Sequence, residues 1–285
     1  MQWKSRRGSG NIEDRRGSAG SGRGGIPAVG GVGLIAVVVI GWFFGIDLTP
    51  LLDQKPAPAS QTGQTELSEA DRQAGAFVSV TLADTEEVWS AVLPDQAGLR
   101  YAPPVLVLYS GVTGSPCGTA SGATGPFYCP QDRKVYLDTA FFATMARDLG
   151  AGGDFAAAYV VAHEVAHHVQ NELGILAQAN ARRAQVSEAE SNAISVRIEL
   201  QADCLAGVWA AHADARFGSI EPGDVDEAVN AAARIGDDTL ARAAGRVPMP
   251  DSFSHGTSAQ RARWLQRGMQ AGRIDDCDTF SARKL

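Results

Sequence analysis

The sequence predicts an α+β protein, mainly helical, with a small antiparallel sheet and one transmembrane helix ahead of the folded domain. Three observations carry that expectation. A charge-free apolar run extends from Ile26 to Ile46, and about 20 apolar residues of helix cover the hydrocarbon core of a bilayer. Short β-branched and aromatic runs, bounded by Gly, Pro and Ser, fall between Val105 and Leu137, the pattern of short strands. After Asp138 the chain is helix-favouring almost to its end.

Residues 1–25 are rich in Gly, Ser and Arg without apolar periodicity, and read as a disordered cytoplasmic segment. They hold Lys4, Arg6, Arg7, Arg15, Arg16 and Arg23 against Glu13 and Asp14, a charge of +4 that leaves −11 for the rest of a chain whose formal charge is −7. An acidic body argues against nucleic acid as a partner, because phosphate binding needs a basic face. Basic residues ahead of the apolar run, with Asp47 and Asp53 after it, place the N-terminus in the cytoplasm. The rest of the chain then lies on the periplasmic or extracellular side of the cytoplasmic membrane. A cleaved signal peptide is the rival reading, although Ala57-Pro58-Ala59 is a weak cleavage site far from the run. Gly41 and Gly45 form a G-x-x-x-G pair that can bring two membrane helices together.

Residues 47–66, rich in Pro, Gln, Ala and Thr, read as a linker, and 67–285 as the folded domain. Ser68 with Asp71 starts a helix that continues towards Leu93 with a break near Asp84. Val105–Tyr109 follows Pro103-Pro104 as a buried strand, and Phe127-Tyr128 and Lys134–Leu137 are short strands. Cys117, Cys129, Cys204 and Cys277 form an even set without a C-x-x-C pair, which suits disulfides better than a structural zinc site. The favoured pairing is Cys117 with Cys129 and Cys204 with Cys277; four buried free thiols are the alternative.

Asp154 reads as a helix N-cap and Gly174 as the residue past its C-terminus. On the helix between them His163 and His167 stand four positions apart, on one face, where both imidazoles can reach one ion. Glu164 is one position round from that line, placed to act as a base on water rather than as a ligand. A catalytic zinc takes three protein ligands, and the third-histidine extension is missing because Gln170 and Leu173 hold its positions. Glu199 is the better candidate, on a helix opened by Ser187 with Glu190 and ended by Gly218. Asp203, one turn on, can accept from the free nitrogen of a ligand histidine; solvent-facing carboxylates are the alternative for both. His255, just before a helix that Ser258 would cap, is either an oxyanion donor or a surface histidine. His168 and His212 lie off the ligand face and read as packing or surface residues.

Several stretches resemble the bacterial neutral zinc metallopeptidase family, itself similar to the gluzincins. They are Met1–Lys4 with Asn11–Arg16, Gly125–Pro130, Val135–Asp138, His163–His168, Glu199–Gly207 and His255–Arg261. The resemblance implies a zincin-like metalloprotease fold and one zinc held by His163, His167 and Glu199. It further implies Glu164 as base, Asp203 orienting a histidine and His255 steadying the transition state. The substrate expected is a protein or peptide, added as an extended strand to a sheet edge near Ala120–Tyr128. Two other readings fit the same residues: a metal-stabilised binding module without activity, and a hydrolase of a non-peptide amide such as one in cell-wall material.

Overall fold

The computed structural model describes residues 1–17, 66–121 and 124–285. The first element is a strand, β1 (Ile12–Asp14), followed by a long helix, α1 (Glu69–Ala97). Next come strands β2 (Val105–Tyr109), β3 (Val112–Ser115), β4 (Gly118–Ser121), β5 (Phe127–Cys129) and β6 (Lys134–Asp138). The remainder is helical: α2 (Ala140–Leu149), α3 (Asp154–Glu172), α4 (Ile175–Arg183), α5 (Glu188–Phe217), α6 (Asp224–Arg234), α7 (Asp237–Ala243) and α8 (Ser258–Ala271).

Local chemistry explains most boundaries. Ser68 with Asp71 and Ser187 with Glu190 both form reciprocal capping boxes, at the starts of α1 and α5. α8 is capped by Thr257 with Gln260, one residue before the expected Ser258. α1 runs through Asp84 without a break, because Arg6 pairs with that buried carboxylate at 2.6 Å.

The main sheet has the order β1-β2-β6-β5, and β3 with β4 form a separate antiparallel hairpin. The expected antiparallel sheet is therefore corrected to a mixed one: β1–β2 and β2–β6 are parallel, and only β6–β5 is antiparallel. β2 is covered on both faces, which is the usual setting of parallel strands. Leu106 and Leu108 face the main helical core, while Val107 and Tyr109 pack with Ala120, Cys129 and Tyr136 beside the hairpin. Cys117–Cys129 ties the hairpin to β5, and Cys204–Cys277 ties the C-terminal tail to α5.

Residues 1–17, expected to lack structure, are part of this domain. β1 pairs with β2 from Ile12 opposite Leu106 to Asp14 opposite Leu108. Trp3 meets Phe77 edge-on, and Ser9 and Asn11 both donate to Glu86. The Met1 ammonium lies 2.5 Å from Asp154 and 3.2 Å from Asp224. Arg16 donates to the carbonyl of Asp71, so the segment ends beside the first turn of α1.

The expectation of a single-pass membrane protein is corrected accordingly. Among the described residues no helix is long and apolar enough to cross a membrane. The run 26–46, like most of the linker 47–66, lies outside the described residues. The topology itself also fails: it puts residues 1–17 on the opposite side of a membrane from the sheet with which they pair.

α3 lies at the centre, against α1, α5, α6 and the β5–β6 end of the sheet. Its buried face is mostly alanine and valine, which allows close approach. α5 and α8 approach closer still: a Cβ on Gly207 or on Gly268 would overlap the backbone of the opposite helix. That approach carries Arg261 of α8 to Asp203 of α5.

Candidate metal centre

α3 and α5 together hold the candidate ligands. The Nε2 of His163 lies 3.1 Å from Glu199 Oε2, and the Nε2 of His167 lies 3.6 Å from Glu199 Oε1. One donor atom from each of the three residues falls within 4.8 Å of the others. Two imidazole nitrogens and a carboxylate oxygen, converging from two helices, match the donor set of a three-ligand zinc site.

Charge at the site follows from burial and pairing. Burial alone would lower the pKa of His163, but Asp203 and Glu199 overcome it and push the imidazole up to about 10. Burial would raise Glu199, yet the adjacent His167 and His163 hold its carboxyl well below the usual range. Glu164 is also buried, and burial raises its carboxyl despite the two histidines. A buried carboxylate with a raised pKa is suited to taking and returning a proton.

Asp203 lies beneath His163, with Oδ1 2.9 Å from Nδ1, as a close charge contact rather than an aligned hydrogen bond. Tyr159 donates to the same carboxylate at 2.5 Å, and Arg261 clamps it through Nε and Nη2, each at 2.9 Å. All three side chains are buried. His255 is brought to the rim, its side chain 45% exposed, with Nδ1 3.2 Å from Asp237. Asp237 also accepts the backbone N–H groups of Ser254, His255 and Gly256, which orders the loop. Burial would lower the His255 pKa, but Asp237 and Glu199 raise it.

The other histidines are packing residues. The Nε2 of His168 donates to Ala102 O and its Nδ1 accepts from Tyr128; the Nε2 of His212 donates to Gly272 O, at the end of α8. Sequence reasoning missed Tyr159, Arg261, Asp237 and Gln170. Arg261 lay inside a matched stretch, and Gln170 stood three positions past His167, a spacing that faces it. A second acidic group, Asp154 with Asp224 and Glu227, engages the Met1 ammonium and the backbone N–H of Phe155.

Helices over a small mixed sheet thus bring this donor set together on crossing helices beside a buried glutamate, the donor set and neighbouring base that zinc hydrolases use. The chain belongs to the family described as "Putative neutral zinc metallopeptidase", whose model matches residues 1–280. The match includes the N-terminal segment that pairs into the sheet. The chain is 45% identical to "Uncharacterized protein YpfJ" of Escherichia coli K12, covering 98% of this chain and 99% of that protein. It is 39% identical to "Uncharacterized protein Rv2575" of Mycobacterium tuberculosis H37Rv, covering 85% of each. No solved structure matches the chain.

Proposed function

We propose that the protein is a zinc-dependent endopeptidase with one zinc per chain, held by His163, His167 and Glu199. The observation that carries this reading is the convergence of one donor atom each from His163, His167 and Glu199 within 4.8 Å, beside buried Glu164. When bound, zinc supplies Lewis acidity and lowers the pKa of a ligated water. Glu164 takes a proton from the attacking water and delivers it to the leaving amine. His255, held towards its cationic form by Asp237, offers a donor to the developing oxyanion.

The substrate we infer is a protein or peptide in extended form. Among the described residues β5 pairs only with β6, and it lies beside α3. Its outer edge can accept a substrate strand through backbone hydrogen bonds. Ala120 belongs to the β3–β4 hairpin, so the recognition strand narrows from Ala120–Tyr128 to Phe127–Cys129.

The test uses the full chain and a Glu164→Gln variant, offered unfolded proteins and peptidoglycan fragments. The reading expects cleavage of unfolded protein by the wild type, reduced roughly 10²- to 10⁴-fold in the variant, with zinc retained in both. Equal cleavage by the variant, or cleavage of peptidoglycan alone, would contradict it.

A further inference from the structure

A histidine that ligates a metal through Nε2 must carry its remaining proton on Nδ1, and the partner of Nδ1 decides whether it does. The two histidines meet this requirement differently. Below His163 lies a carboxylate, which only accepts. The Nδ1 of His167 lies 2.8 Å from Oε1 of Gln170, an amide that has both an acceptor and two donors. Turned the other way, Gln170 would present N–H to Nδ1 and force the proton onto Nε2, where it would block a metal.

The surroundings of Gln170 set its orientation. Its Nε2 donates to the backbone carbonyl of Ile198 at 2.8 Å and to Oε1 of Gln201 at 3.0 Å. Gln201 is oriented in turn by donating its Nε2 to the backbone carbonyl of Cys277 at 3.1 Å. A backbone carbonyl cannot reverse its role. With acceptors at Ile198 and Cys277, every N–H in the chain points away from the metal side, from His167 to Gln170, to Gln201, to Cys277. Gln170 is fully buried and Gln201 nearly so, so water does not compete for these bonds. The terminal acceptor is held in place by the Cys204–Cys277 disulfide, whose other half lies on α5 one residue past Asp203.

We propose that Gln170 and Gln201, terminated on the Cys277 carbonyl, form a one-way hydrogen-bond relay that holds His167 as its Nδ1–H tautomer. They are positioning residues for the second histidine ligand, acting through its ring. The disulfide that closes the C-terminal tail thereby supports the metal centre as well as the fold. This inference rests on the reading of His167 as a ligand.

The experiment reads tautomer and zinc affinity in the full chain, without an activity assay. Imidazole ¹⁵N resonances of the zinc-free wild type are expected to show His167 protonated on Nδ1. Chelator competition with zinc should show roughly a 10- to 100-fold loss of affinity in Gln170→Leu, with a smaller loss in Gln201→Leu. Circular dichroism checks that each variant is folded. The relay is overturned if wild-type His167 carries its proton on Nε2, or if folded Gln170→Leu binds zinc as tightly as wild type. Should Gln170→Leu fail to fold, the wild-type tautomer and the Gln201→Leu affinity still decide. A wild type that takes up no zinc removes the proposed function, while the tautomer, read without metal, still judges the relay.

Discussion

His163 and His167 stand one turn apart on α3, their rings nearly perpendicular with centroids 4.8 Å apart, yet they rest on supports of opposite chemistry. Under His163 lies a sealed charged cluster, in which Asp203 is clamped by Arg261 and bonded by Tyr159. Under His167 lies a neutral relay of two amides that ends on a backbone carbonyl. Both fix which nitrogen faces Glu199. The charged support does so by field, at a heavy cost in desolvation; the neutral one does so by direction alone. The first should therefore be sensitive to pH and intolerant of truncation, and the second sensitive to any reversal of donor and acceptor.

The largest expected effect is on the charged side. Asp203→Ala leaves the Arg261 guanidinium buried without its partner, which should destabilise the fold by about 3–5 kcal/mol. Gln170→Leu strands two neutral acceptors, with an expected loss of about 1–3 kcal/mol. Urea denaturation of the two zinc-free variants measures the gap, and equal losses would erase the distinction between the supports.

The next effect is in pH. His163 in the zinc-free protein is raised from an ordinary value of 6.5 to about 10. Its proton therefore contributes stability that is fully present below 6.5 and lost as pH rises towards 10. Zinc must displace that proton, so apparent zinc affinity should rise with pH across the same window, by roughly tenfold per unit while one proton is released. Asp203→Asn, which removes the charge, should flatten that slope, as chelator competition at several pH values would reveal. A wild-type affinity independent of pH would break the account of the charged support.

The smallest effect lies at the rim. Asp237 raises His255, so Asp237→Asn should lower the His255 titration midpoint towards its ordinary value. The donor role would then be lost earlier on the alkaline side. Proton NMR of the His255 ring measures this directly, and an unmoved midpoint would show that Asp237 orders the loop without acting on the ring.

How much was legible follows from the physics of each part. Four-residue spacing on a helix is visible in sequence, so the His163–His167 pair and the Glu199–Asp203 pair could be read before any coordinates. The capping boxes at Ser68 and Ser187 were legible for the same reason, because both partners are local. Residues 1–17 were not, since they are held by Met1–Asp154, Arg6–Asp84 and Asn11–Glu86 contacts across more than seventy positions rather than by apolar periodicity. The parallel pairing of β2 with β6 escaped notice because the connection between them is a hairpin and an edge strand instead of a helix. Gln170 was seen only as one of the two residues that break the third-histidine extension. Its role depends on Gln201, which the packing of α3 on α5 brings to it, and on Cys277, which meets Gln201 where the tail is joined to α5.

The measurement that tests the central claim most directly is the zinc content of the purified full chain beside a Glu199→Ala variant, each checked for folding by circular dichroism. The account predicts about one zinc per wild-type chain and a loss or large weakening of binding in the variant. A folded wild type without zinc, or a Glu199→Ala protein that holds zinc as tightly as wild type, would contradict it.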